Sequence, residues 1–288
     1  MTVDLAYSPC PNDTFIFDAM VHGRVDAEGL SFRTHLADVE ELNERAMLAK
    51  RPGRDGSYAV TKLSYAALAH LQDEYRLLDA GSALGEGIGP LLVTRGGRTV
   101  EQLTNEPVAI PGEYTTAAFL LRLAYPRLRN LTPLLFSEIE GAIERGEVAA
   151  GVIIHETRFT YAERGFELLR DLGTFWTEET GLPIPLGGIA VRRDLDIELQ
   201  HRLGRVLRRS VVFAKAHPEA SRAYVQAHAQ EMSEEIQAKH IATYVNNYSE
   251  SLGARGREAI TRMFSMAHER GIVGEPVRDL LVDSGSSH

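Results

Sequence analysis

Short apolar runs alternate with longer segments whose apolar positions recur every three to four residues, and the alternation persists over the first two-thirds of the chain. Val3 to Tyr7, Leu30 to His35, Tyr58 to Leu63, Pro90 to Val93, Val108 to Pro111, Leu134 to Phe136, Val152 to Ile154, Leu168 to Leu172 and Ile189 to Arg192 read as strands. Thr14 to His22, Val39 to Ala49, Ser64 to about Gln72, Ala117 to Leu123 and Ser137 to Arg145 read as the helices between them, with a helical turn over Trp176 to Gly181. Runs such as Val152-Ile153-Ile154 lack polar alternation, the pattern of a strand buried on both faces of a parallel sheet. From Ile197 to Gly271 the period is helical throughout, in segments over Ile197 to Ala216, Pro218 to Gln230, Ser233 to Asn247 and Arg255 to Gly271. Pro218 and Ser233 stand at starts and Gly271 at a stop.

Repeated strand, turn and helix imply α/β architecture with mixed, mainly parallel sheets covered by helices on both faces. Gly-rich passages near Arg95-Gly96-Gly97-Arg98 and Gly187-Gly188 suggest two chain crossings. They divide the chain into a discontinuous domain of residues 1–96 plus 187–288 and an inserted domain of 97–186, with a cleft between two lobes. The glycines at 81, 85, 87 and 89 precede a strand instead of following one, so they do not form a dinucleotide fingerprint.

Composition narrows the chemistry. A length of 288 residues allows two ordinary domains, and a net charge of -9, from 40 acids against 31 bases, argues against a nucleic-acid groove. The one dense basic run, Arg202 to Arg209, reads as a solvated helix face. A single cysteine, Cys10, excludes an internal disulfide and fits a reducing compartment; between Pro9 and Pro11 it reads as a small buried hydrophobe. No segment approaches the ~18 continuous apolar residues of a membrane span, and no leader-like segment precedes Val3. The expectation is a soluble cytoplasmic protein. Arg51 to Ser57 reads as a turn-rich surface loop and Ser284 to His288 as a disordered tail.

Candidate chemistry collects at the ends of strands, where open α/β sheets place their ligands. His155 ends the run Ala149-Ala150-Gly151-Val152-Ile153-Ile154 and reads either as a titratable group at a site or as a strand-end ring satisfied by a backbone carbonyl. Asn12 or Asp13 can cap the helix after the Ser8-Pro9-Cys10-Pro11 turn. Lys62 and Ser64 stand where another strand meets a helix; as alternatives, Lys62 is a surface charge and Ser64 an ordinary cap. The Thr115-Thr116 pair opens a third helix and suits either capping or binding of a carboxylate or phosphate. His201, His217, His228, His240 and His268 show no metal-ligand spacing and carry no assigned chemistry, and no P-loop or catalytic-triad order is visible. Helix starts and one imidazole facing a common cleft favour an anionic, oxygen-rich ligand with a neutral ring as base.

S-P-C-P-N-D-T-F at 8–15, T-K-L-S-Y at 61–65, the Thr115-Thr116 pair and G-V-I-I-H-E at 151–156 together resemble the 1,4-dihydroxy-6-naphthoate synthases of the futalosine route to menaquinone, over nearly the whole chain. The resemblance implies a type 2 periplasmic-binding-protein-like fold. It also implies cleavage of cyclic dehypoxanthinylfutalosine to 1,4-dihydroxy-6-naphthoate and dihydroxyacetone, with no metal and no organic cofactor. By matching motif, it implies His155 as proton acceptor, Lys62, Leu63 and Ser64 lining the substrate, and Thr115 with Thr116 binding it; Asp13 is a weaker candidate. The implied partner is a small-molecule carboxylate, with no nucleic acid and no membrane, and a homodimer stays open. The loop at 51–57 is longer than the family pattern. A non-catalytic solute-binding protein and a chorismate dehydratase of related fold are the competing expectations.

Overall fold

The computed structural model describes residues 1–51, 53, 56–229 and 233–282; Pro52, Arg54 and Asp55 of the expected surface loop, Gln230 of the expected second C-terminal segment and the tail at 284–288 lie outside these. The chain begins with β1 (Thr2–Tyr7), α1 (Pro11–Val21), β2 (Ser31–Leu36), α2 (Val39–Met47), β3 (Val60–Ser64) and α3 (Tyr65–His70). Two parallel pairings, β1 with β2 and β1 with β3, follow from these strand-helix-strand units. Short β4 (Tyr75–Leu77) and β5 (Ala83–Gly85) come next, each only three residues long.

The second sheet holds β6 (Leu91–Thr94), β7 (Val108–Ile110), β8 (Leu131–Pro133), β9 (Ala150–Ile153) and β10 (Glu167–Asp171), in the order β10-β6-β9-β7-β8. Helices α4 (Thr116–Ala124), α5 (Ile139–Glu144) and α6 (Leu172–Thr180) accompany it. The chain then returns through β11 (Ile184–Arg192), which pairs antiparallel with β3, β4 and β5 in the first sheet. Helices α7 (Ile197–Ala216), α8 (Arg222–His228), α9 (Glu234–Tyr244), α10 (Asn247–Glu250) and α11 (Gly253–Glu269) complete the described chain.

Three expectations need correction. β6 pairs with β9 and β10, so the 1–96 division assigns to the first lobe a strand that belongs to the second sheet. The sheets are mixed but not mainly parallel, with five antiparallel strand pairs against four parallel ones among the described residues, because β6 and β11, the strands that carry the chain between sheets, run against their neighbours. The edge strand β8 ends at Pro133, whose missing amide suits a strand end, and Phe136 instead opens a 3₁₀ turn.

Packing explains why the first helix is placed so firmly. Every residue of α1 from Pro11 to Met20 is buried, and the helix is covered by α7, α8 and α9. A helix buried on all sides, its polar Asn12, Asp13, Thr14 and Asp18 included, is held from all sides. Part of the basic run on α7 docks as well as being solvated: Arg205 and Arg209 both bind the Glu28 carboxylate, and the Arg205 guanidinium foremost holds its pKa down to about 2. Where the chain crosses between sheets, Gly89 and Gly173 meet backbone to backbone. A Cβ on Gly173 would lie 2.3 Å from the Gly89 nitrogen, so no larger residue fits there. Asp171 fastens the crossing by accepting from the amides of Gly89 (3.0 Å), Gly173 (2.8 Å) and Thr174 (3.2 Å).

Candidate active site

The two sheets face each other across a cavity that opens in part to solvent, with about 100 Å³ of room for water-sized groups between its walls. Its wall takes Asp13 from α1, Lys62 and Ser64 from β3, Thr115 and Thr116 from the start of α4, and His155 from the turn after β9. These positions are far apart in the chain, yet the fold brings all of them to one cavity. Leu63 is the exception. Side chains alternate along a strand, so Lys62 and Ser64 face the cavity while Leu63 points the other way into the core, fully buried.

Asp13 does not cap α1. Cys10 holds the cap position and Pro11 the first helical residue, which starts the helix three residues before Thr14 because proline is pre-set for that place. The Asp13 carboxylate instead gathers donors: Lys62 Nζ at 2.7 Å, Ser8 Oγ at 2.7 Å, Ser8 N at 3.3 Å and Asn12 Nδ2 at 3.0 Å. With side-chain exposures of 7% for Lys62 and 0% for Asp13, this is a buried ion pair, so Lys62 is not the surface charge that its sequence position allowed.

The hydroxyls at the helix starts are largely engaged within the protein. Ser64 makes a two-way bond with Asn43, its amide donating to Oδ1 (3.0 Å) and its Oγ accepting from Nδ2 (3.1 Å). Thr115 Oγ1 accepts from Ala118 N at 3.2 Å and donates to Gly112 O at 2.9 Å, so it caps α4. Thr116 Oγ1 donates to Leu186 O at 2.8 Å and receives the Ala66 amide at 3.3 Å, tying α4 to β11 and α3. What remains for a ligand are the first-turn amides of α4, which have no carbonyl within the helix, and the positive end of its dipole. Thr115→Val is accordingly expected to lower stability by about 1 kcal/mol through loss of the cap, read by urea denaturation. An unchanged midpoint would return the hydroxyl to ligand binding alone.

His155 differs from a simple strand-end residue. β9 stops at Ile153, and His155 opens a 3₁₀ turn in the left-handed region, at φ 59°. A non-glycine residue held there stores strain, and such residues concentrate at functional sites. Its ring packs edge-on against Phe136, with centroids 4.6 Å apart, and the Cys10 sulfur lies 3.0 Å from Nδ1 and 3.5 Å from Nε2. Cys10 is therefore buried, as its sequence context suggested, but it also touches the candidate base. Desolvation lowers the His155 pKa to about 4; Asp13 opposes the shift and Lys62 reinforces it. The imidazole is neutral at neutral pH and able to accept a proton.

A second histidine shares the cavity, and sequence spacing had given it no role. His240, on α9, is buried; its ring centroid lies 6.2 Å from that of His155, and Nε2 is 3.0 Å from Asn12 Oδ1. A signal existed: Gln237, His240 and Tyr244 recur at helical spacing and are the buried residues of α9, so this helix buries a polar stripe. Arg158 also lines the cavity, where it is held at 3.0 Å by Asp171, and so does Tyr244. Among the described residues no group of three or more His, Cys, Asp or Glu side chains is arranged to hold a metal ion, and no helix is long and apolar enough to cross a membrane.

Both cavity histidines resist protonation, His155 through desolvation and Lys62, His240 through desolvation with His155, Lys62 and Arg158. The unfolded chain takes up these protons near the ordinary histidine pKa of about 6.5, so it binds more protons than the native state below that pH. Stability is therefore expected to be full above about pH 6.5 and to fall as pH drops toward about 4. Denaturant titrations at pH 7 and pH 5 check this, and a His155→Gln variant should show a shallower decline. An equal decline in that variant would show that His155 does not contribute.

Residues 3–269 match the family model described as menaquinone biosynthesis. A Thermus thermophilus protein named 1,4-dihydroxy-6-naphtoate synthase is 46% identical over 278 residues, covering 96% of this chain and 98% of that protein. A Streptomyces coelicolor protein of the same name is 42% identical, covering 94% and 95%. A crystal structure of an Archaeoglobus fulgidus protein superposes with a TM-score of 0.85 at 35% identity, covering 94% of this chain and 98% of that one. A Candida albicans protein described as having the generic periplasmic binding protein fold superposes at 0.69 with 13% identity, covering 97% and 93%, a likeness of fold alone. With a periplasmic-binding-protein-like fold, an interlobe cavity and these relatives, the chain belongs to the menaquinone biosynthesis family of enzymes.

Proposed function

We propose that this protein is a 1,4-dihydroxy-6-naphthoate synthase, a carbon–carbon lyase that acts in the cytoplasm on cyclic dehypoxanthinylfutalosine and releases 1,4-dihydroxy-6-naphthoate and dihydroxyacetone. His155 is the proton acceptor. The observation that carries the reading is a neutral imidazole, held in a strained backbone conformation, at the wall of a partly open cavity between two sheets. Removing one proton from the substrate starts a fragmentation whose product is aromatic, so a positioned base in a water-poor cleft supplies what the chemistry needs.

The substrate carboxylate is seated at the start of α4, where unpaired amides and the helix dipole favour an anion. Because Thr115 and Thr116 commit their hydroxyls to the fold, their part is to hold those amides in place. Ser64 borders the same cavity, and the Asp13–Lys62 pair fixes β3 against α1 and sets the field around His155. Leu63 serves from the core behind the strand. Incubating the purified protein with cyclic dehypoxanthinylfutalosine and detecting the naphthoate by mass tests the reading. Binding without product would favour a solute-binding role, and no product under any condition would remove the proposal.

A further inference from the structure

His240 carries an imbalance that the site as described does not use. Its side chain is 2% exposed and lines the cavity, yet Nδ1 is buried with no hydrogen-bond partner among the described residues. The ring's tautomer is fixed by a chain of contacts from the other side. Asp13, paired with Lys62 at 2.7 Å, offers acceptors, so the Asn12 amide nitrogen must be the atom facing Asp13 Oδ1 at 3.0 Å. That leaves Asn12 Oδ1, an acceptor only, facing His240 Nε2 at 3.0 Å, and the ring proton must therefore sit on Nε2. Nδ1 then presents a bare lone pair. A buried acceptor without a donor is costly, and because the ring borders the cavity a group bound there can complete the arrangement by supplying an O–H or N–H.

We propose that His240 Nδ1 accepts a hydrogen bond from a hydroxyl of the substrate's three-carbon portion, the part that leaves as dihydroxyacetone. A carboxylate has no proton to offer at this position, so the acceptor repels the substrate's anionic end and selects its hydroxylated end. The substrate is thereby oriented with its carboxylate at the start of α4 and its hydroxyl-bearing carbons beside both His155 and His240, whose rings lie side by side at 6.2 Å. Burial keeps the His240 ring neutral, with the Lys62 and Arg158 charges reinforcing that state, and so preserves the lone pair. This orientation rests on the lyase reading above.

The test separates the two. Glutamine at 240 keeps a donor near the Nε2 position, toward Asn12, and lacks an acceptor at the Nδ1 position; asparagine keeps an acceptor there and loses the tether. With cyclic dehypoxanthinylfutalosine, His240→Gln is expected to lower kcat/KM about tenfold, the loss of one neutral hydrogen bond, mainly through KM, while His240→Asn stays within about threefold of the wild type. The product 1,4-dihydroxy-6-naphthoate keeps the ring and carboxylate but lacks the three-carbon part, so its Kd should change less than about twofold in both variants. That binding also reports that the site is assembled; should the Gln variant fail to bind product, His240→Leu takes its place. An unchanged kcat/KM in the Gln variant, a parallel loss of product affinity, or an Asn variant no better than Gln would each overturn the assignment while leaving the lyase reading in force. Absence of naphthoate with the wild-type enzyme would instead remove that reading, and the orientation with it.

Discussion

His155→Ala is expected to reduce turnover by roughly 10²–10⁴-fold, the usual contribution of a positioned general base, and to leave the affinity for cyclic dehypoxanthinylfutalosine within about tenfold of the wild type. The separation follows from the cavity's build. In the proposed pose the carboxylate end lies at the start of α4 and the hydroxylated end beside His240, so removing one ring would delete the proton acceptor while the other lining residues stay in place. Backbone strain adds a second comparison. At φ 59° alanine is disfavoured and glycine is not, so His155→Gly should be as inactive as His155→Ala but more stable by roughly 0.5–1 kcal/mol. Substantial turnover in either variant would end the assignment of His155 as the base. Equal stability of the two would show that the turn relaxes when the imidazole is gone.

Lys62→Met is expected to lose about 3–5 kcal/mol of stability, because it leaves the fully buried Asp13 carboxylate without its cation while Ser8 and Asn12 still donate to it. Replacing both partners, Lys62→Met with Asp13→Asn, should recover most of the loss, since two uncharged groups of similar size avoid the isolated buried charge. Denaturant unfolding of the single and double variants measures this, and purely additive losses would mean that the pair is not coupled. The same substitution has a kinetic signature. Lys62 helps keep the His155 pKa low, so its removal favours the imidazolium and should move the acid limb of kcat/KM to higher pH. A limb that stayed in place, or moved down, would separate Lys62 from the field at the base.

Much of the fold could be read from periodicity. The span expected for the long C-terminal helix, Ile197 to Ala216, is the span observed for α7, because its apolar stripe, the Asp196 cap and a following Pro218 all agree. Strands β1 and β3 were legible for the same reason, as apolar runs closed by turn residues. The short strands β4 and β5 were not, because three residues leave too little pattern and pairing with β11 alone makes them strands. The start of α1 was misplaced because Pro11 reads equally as a turn breaker and as a first helical residue, and only the packing around the helix decides between them.

The candidate site divides along the same line. That Asp13, Lys62, Ser64, Thr115, Thr116 and His155 belong together was available from motifs, but whether each hydroxyl faces a ligand or the fold was not. Leu63 shows how fine the distinction is, since one step along β3 exchanges the cavity for the core. The burial of His240 had a signal in its helical spacing but its place at the cavity did not, because that spacing says which face is buried and not what that face meets.

What the sequence determined alone is the succession of strands and helices, the general positions of its strand-end chemistry and its family likeness, since these depend on neighbours a few residues apart. Only the tertiary structure decided that Cys10, Asn12, His155 and His240 converge, that Asp13 is consumed by Lys62 and that one ring nitrogen is left bare. Hydrogen-bond completion inside the cavity depends on groups separated by up to the 228 positions between Asn12 and His240, and no local pattern encodes which of them will be satisfied.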